Sequence, residues 1–171
     1  VALPRKGDLG QDQGNWVGCP MVAGSTYLGL ASLPDANGNG TPELAALRRL
    51  ADGRVQVVLK DSHTKTLIQV LTFTQRNRPV LGLAPVADSN NDGNPELAIL
   101  LRKPNGQGVV EIRDAVTDRR VRQMQFFGKA WEVQALTSQD SDLDGVSELS
   151  VLATKDDGSA VGVQIRDAIT T

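Results

Sequence analysis

The hydrophobic positions of this chain fall in short runs. YLGLASL (27–33), ELAAL (43–47), VLGLAPV (80–86), ELAILL (96–101), EVQALTS (132–138) and ELSVL (148–152) are each five to seven residues long. Clusters of Asp, Asn, Gly and Pro separate them. Pro, Gly and β-branched residues interrupt every long window, which argues against helices. ELAILL is apolar at consecutive positions, with Leu97 and Ile99 on one face and Ala98 and Leu100 on the other. A strand buried on both faces needs a sheet packed above and below it. Further along, Val57, Val110 and Val163, then Leu59, Ile112 and Ile165, mark strands of period-two alternation. Turn signals at ADG (51–53), PNGQG (104–108) and KDDG (155–158) precede these strands and predict hairpins.

The pattern repeats. PDANGNGTPELAAL begins at Pro34, ADSNNDGNPELAIL at Ala87 and QDSDLDGVSELSVL at Gln139; their first aspartates, Asp35, Asp88 and Asp140, are 53 and 52 residues apart. KDSHT at Lys60, RDAVT at Arg113 and RDAIT at Arg166 recur at steps of 53 and 53. Two motifs on one beat define a structural repeat. Each unit reads as four antiparallel strands: an apolar strand, the acidic loop, a fully apolar strand, a hairpin to an alternating strand, and a turn at Asp-x-x-Thr. The fourth strand is KTLIQVLTF in the first unit and RRVRQMQFF in the second. The expected fold is all-β and β-propeller-like, with about three four-stranded blades stacked face to face as an incomplete ring or fragment. The expected divisions are 1–24, a non-repeating segment; 25–78, the first unit; 79–130, the second; and 131–171, the third, which ends before its fourth strand. Three explanations of the unfinished ring compete. The chain is a piece of a longer propeller, or it self-associates to extend or close the ring, or residues near Trp16 supply the missing strand. The start at Val1 suits a mature or excised piece.

Composition removes several classes. A formal net charge of −2 gives no basic surface for nucleic acid. The apolar runs are too short to insert into a membrane as helices. A hydrophobic content of 40% suits a folded core rather than a disordered chain. Cys19 is the single cysteine, so no internal disulfide framework exists.

The acidic loops carry the candidate chemistry. Each reads Asp-x-Asn/Asp-x-Asn/Asp-Gly-x-x-Glu, with side-chain oxygens at positions 1, 3, 5 and 9 and Gly at position 6, where a sharp turn lets the position-7 carbonyl join them. The first loop offers Asp35, Asn37, Asn39 and Glu43 with the Thr41 carbonyl. The second offers Asp88, Asn90, Asp92 and Glu96 with the Asn94 carbonyl. The third offers Asp140, Asp142, Asp144 and Glu148 with the Val146 carbonyl. Hard oxygen donors in this number suit Ca²⁺, up to three ions in all, and the lack of nearby Cys or His disfavours zinc and copper. Pro42 and Pro95 stiffen the approach to the glutamate at a strand start, where no ladder N–H is needed. Counting Asp and Glu, the donor sets carry −2, −3 and −4 in order. Affinity is expected to rise in that order. An EF-hand does not fit, because its position-12 glutamate is replaced by Ala46, Ile99 and Val151.

DANGNGTPEL, DSNNDGNPEL and DSDLDGVSEL, each between two short strands, resemble the FG-GAP/VCBS repeat family of integrin α-subunit-like propeller blades. The resemblance covers residues 25–171 in three units. It implies calcium held between the first two strands of each blade. It also implies an extracellular, cell-surface or periplasmic module that binds a protein or glycan, serves in adhesion or braces a larger protein. The chain departs from the family pattern in having Glu at position 9, where Asp is common, and Asn39 at position 5 of the first loop. Propellers of this type also occur in polysaccharide lyases, so the propeller portion of a carbohydrate-active enzyme is the second expectation. The sequence shows no acid–base pair outside the loops to support catalysis. His63 sits at a turn. Asp61, Asp114 and Asp167 read as turn caps before Thr64, Thr117 and Thr170. Trp16 and Trp131 read as packing residues before sugar platforms. Arg119, Arg120 and Arg122 read as a solvated strand face, and Cys19 as a buried small residue.

Overall fold

A computed structural model describes residues 22–73 and 77–169 of the chain. Val1, Trp16, Val17 and Cys19, and with them the segment proposed to supply a fourth strand, lie outside the described residues. So do Thr170 and Thr171.

The described residues form eleven strands and no helix. β1 (Thr26–Leu33), β2 (Glu43–Arg49), β3 (Val55–Asp61) and β4 (Leu67–Phe73) make one four-stranded sheet in chain order. β5 (Val80–Val86), β6 (Glu96–Arg102), β7 (Gly108–Asp114) and β8 (Arg120–Phe126) make the second. β9 (Trp131–Gln139), β10 (Glu148–Lys155) and β11 (Val161–Asp167) make a three-stranded third. Every pairing is antiparallel. The architecture is therefore all-β with sheets of 4, 4 and 3 strands, and among the described residues the stack is open.

Two apolar layers hold the stack together. Ala45, Leu47, Val57, Leu59, Leu71 and Phe73 of the first sheet meet Leu97, Ile99 and Leu101 of the second. The opposite face of the second sheet, with Ala98, Leu100, Val110, Ile112, Met124 and Phe126, meets Val133, Leu149, Val151 and Ala153 of the third. The continuous apolar run of β6 follows from this sandwich: Leu97 to Leu101 are all fully buried. The first strands lie side by side, β1 against β5 and β5 against β9. Gly82 permits the second approach, since a Cβ there would lie 2.8 Å from Leu136 Cβ.

Polar joints recur on the same period. The Arg113 guanidinium lies 5.5 Å from the centre of the Phe73 ring, and Arg166 lies 5.3 Å from that of Phe126. Arg113 is buried with Glu111, at 2.9 Å, and also reaches Asp118 at 2.9 Å. These pairings satisfy charges that burial would otherwise penalise.

Candidate metal loops

The acidic loops join the first two strands of each sheet, and all three share one hydrogen-bond scheme. The position-1 aspartate accepts the position-6 glycine N–H: Asp35 from Gly40 at 2.7 Å, Asp88 from Gly93 at 2.8 Å and Asp140 from Gly145 at 3.1 Å. The position-3 oxygen accepts the position-5 N–H: Asn37 from Asn39 at 3.0 Å, Asn90 from Asp92 at 2.9 Å and Asp142 from Asp144 at 3.3 Å. The position-5 oxygen accepts the position-7 N–H: Asn39 from Thr41 at 2.8 Å, Asp92 from Asn94 at 3.0 Å and Asp144 from Val146 at 2.8 Å. The position-9 glutamate reaches back to the position-2 N–H: Glu43 to Ala36 at 3.0 Å, Glu96 to Ser89 at 3.1 Å and Glu148 to Ser141 at 2.5 Å. The expected glycines supply the turn, with φ of 82° at Gly40, 89° at Gly93 and 89° at Gly145.

Asp35, Asp88 and Glu96 use both carboxylate oxygens in hydrogen bonds, whereas Glu43, Asp140 and Glu148 each keep one buried oxygen without a partner. In the third loop one oxygen each of Asp140, Asp142, Asp144 and Glu148 lies within 4.8 Å of the rest. Asp140 Oδ1 and Glu148 Oε1 are buried without a hydrogen-bond partner, and Glu148 is only 4% exposed. In the second loop Asp88, Asp92 and Glu96 converge in the same way. There Glu96 Oε1 accepts Asn90 Nδ2 at 2.8 Å. The first loop, with Asn at positions 3 and 5, gathers fewer carboxylates, yet Glu43 Oε1 is also buried and unpartnered. Orphaned buried oxygens are costly. A donor set made only of oxygens with such orphans fits a hard divalent cation.

The electrostatics show the same crowding. Burial, with repulsion from Asp88 and Asp92, pushes the Glu96 carboxyl up to about 7. Burial, with repulsion from Asp35 and Asp61, also raises Glu43. At Asp142 the Asp144 N–H pulls downward, but burial and repulsion from Asp144, Glu148 and Asp140 outweigh it. Asp35 goes the other way, because the Gly40 N–H and three neighbouring amides hold its carboxylate low.

Asp61 and Asp114 cap turns, as the sequence suggests: Asp61 Oδ1 accepts the N–H of His63 at 2.8 Å and Thr64 at 2.5 Å, and Asp114 Oδ1 those of Val116 at 2.8 Å and Thr117 at 2.6 Å. Their second oxygens do something sequence reasoning missed. Asp61 Oδ2 accepts Asn37 Nδ2 at 3.1 Å, Thr41 Oγ1 at 3.2 Å and Asn39 Nδ2. Asp114 Oδ2 accepts Asn94 Nδ2 at 3.2 Å. The 53-residue step shared by both motifs was the available signal; the missing piece was the register that sets Glu43 opposite Asp61 and Glu96 opposite Asp114.

Away from the loops, Trp131 packs its ring 5.0 Å from Phe127. It also lines a groove of about 510 Å³ with Arg78, Lys103 and the Arg102–Glu132 ion pair. Arg122 Nη1 donates to the Ala168 carbonyl at 3.4 Å, bridging two sheets rather than lying free. His63 is exposed at its turn.

No family model matches the chain, and no curated protein matches it. Among solved structures it is similar to the tail fiber of Staphylococcus aureus phage P68, at 14% identity and a TM-score of 0.43. The match covers 75% of this chain and 28% of the tail fiber, so the chain spans under a third of that protein's length. That likeness carries no inference about activity, ligand or assembly.

Proposed function

We propose that the chain is a calcium-binding repeat module of the FG-GAP/VCBS kind, a piece of a propeller that serves as a structural or ligand-binding part of a secreted or cell-surface protein. The observation that carries this reading is the third loop. Four carboxylates converge there, and two of their buried oxygens, on Asp140 and Glu148, have no hydrogen-bond partner. The same backbone scheme at the other two loops extends the reading to them. When bound, calcium would supply the positive charge that the converging oxygens lack.

The residues themselves divide the work. The backbone amides of Gly40, Gly93 and Gly145 hold the position-1 carboxylates in place. The position-9 glutamates anchor each loop to the start of a buried strand. A filled loop would therefore pin the rim of its sheet. Extracellular modules bind calcium with dissociation constants on the order of 10⁻⁴ to 10⁻³ M. At about 1 mM calcium and a constant near 0.1 mM, each site adds about 1.4 kcal/mol. Sites of that strength would fill outside the cytosol, in the extracellular, surface or periplasmic setting that the family resemblance implies. The partner would be a protein or glycan, or a second copy that extends the stack.

Thermal unfolding in calcium and in EDTA tests the proposal. The expected outcome is a midpoint several degrees higher in 1 mM calcium, with magnesium unable to substitute. Identical midpoints in calcium and EDTA would remove the proposal's support.

A further inference from the structure

We infer that the aspartate ending the third strand of each unit, Asp61 in the first and Asp114 in the second, is a working member of the cation loop and not a turn cap alone. This rests on the calcium reading of the loops. Each aspartate divides its two oxygens between two structures. Oδ1 holds the turn into the fourth strand. Oδ2 faces the loop and receives its side-chain donors, three at Asp61 and one at Asp114.

Three features make this a designed junction. The ladder register pairs Glu43 with Asp61 and Glu96 with Asp114, so a second carboxylate stands beside each position-9 glutamate. In the first unit Glu43 is almost fully buried and its Oε1 is unpartnered, an orphan that a cation at that corner would satisfy, whereas both oxygens of Glu96 in the second unit are hydrogen-bonded. The next residue also ties strand and loop together: Ser62 N–H donates to Pro42 O at 3.3 Å and Ala115 N–H to Pro95 O at 3.0 Å. The third unit keeps this frame, with Glu148 opposite Asp167 and Ala168 N–H on Ser147 O at 2.8 Å.

The consequence is sharpest in the first loop. Asn37 and Asn39 are engaged at both ends, their oxygens by backbone amides and their Nδ2 groups by Asp61. Neither carries charge. Asp61 therefore supplies the third negative charge there, beside Asp35 and Glu43, and makes up for the two asparagines. Removing a partner that orients a metal ligand commonly costs about 10–100-fold in affinity.

The test is a titration with calcium chloride followed by ¹H–¹⁵N NMR. The amides of Gly40, Gly93 and Gly145 report the three loops separately. Asp61→Asn keeps an oxygen for the turn amides while removing the charge. It is expected to weaken calcium binding at Gly40 by about tenfold or more and to leave Gly145 within about twofold. Asp114→Asn is the independent copy of the experiment, read at Gly93, and stands if the first variant folds poorly. A purely structural role would instead lower the unfolding midpoint equally in EDTA and in calcium, with affinities unchanged; that result overturns the inference and leaves the calcium reading intact. Glycine amides that do not respond to calcium in the unsubstituted protein would overturn both.

Discussion

At the residue scale, the loops spend hydrogen-bonding capacity unequally. Glu148 anchors Ser141 with one oxygen and leaves the other buried and unpaired, among three further carboxylates. Like charges this close repel in the absence of a cation. Glu148→Gln should therefore have opposite effects in the two conditions. In EDTA the midpoint should hold or rise, since a repelling charge is gone. In 1 mM calcium it should fall by roughly 3–6 °C, the equivalent of about 1.4 kcal/mol of lost binding in a chain this long. Differential scanning calorimetry checks both arms, and a fall of equal size in EDTA would mark Glu148 as merely structural. The charges of the donor sets also predict an order of affinity, lowest at the first loop and highest at the third. Adding Asp61 to the first (−3) and Asp114 to the second (−4) keeps the first loop weakest and brings the second level with the third in charge. Calorimetric titration of single-loop knockouts reads the order directly, and a tightest first loop would refute it. The carboxylates that converge in the second and third loops were legible in the sequence because they lie within nine residues of one another. The second role of Asp61 was not, since it depends on a strand partner eighteen residues away in the chain.

Strand patterning explains why the elements were readable and their joints were not. Short apolar runs, the alternation of the third strands, and the Asp-Gly, Asn-Gly and Asp-x-x-Thr turns placed the eleven strands, because each signal is local. The fully apolar ELAILL run pointed to burial on both faces, and β6 lies between two apolar layers. The buried Arg113–Glu111 pair and the stacking of Arg113 on Phe73 had no such signature. They arise from which face of one sheet meets the next, and a charged residue in a strand reads from sequence as solvent-facing. Close approach of backbones is equally silent. Gly82→Ala tests the contact between β5 and β9: the added methyl would lie 2.8 Å from Leu136 Cβ and 3.2 Å from its backbone nitrogen. Overpacking of this kind should cost about 1–3 kcal/mol, measured by urea unfolding. A cost near zero would mean that the two sheets slide apart freely.

Across the described residues as a whole, each sheet presents an apolar face to the next, and the third sheet has one neighbour. Val163 and Ile165 occupy the repeat positions of Val57 and Leu59 in the first sheet and Val110 and Ile112 in the second, all of which are buried between sheets. Here Val161, Val163 and Ile165 are 70%, 58% and 60% exposed. A contiguous apolar face on an edge strand invites association. Two of the covers weighed from the sequence are residues near Trp16, which lie outside the described residues, and a second copy; the second predicts self-association. Sedimentation should show reversible self-association that Ile165→Lys suppresses while the calcium response is kept; a monomer at every concentration would oppose this.

Equilibrium dialysis against calcium at physiological ionic strength addresses the central claim most directly. The loops predict close to three ions bound per chain, with dissociation constants on the order of 10⁻⁴ to 10⁻³ M. Less than one ion per chain at 5 mM free calcium would contradict it.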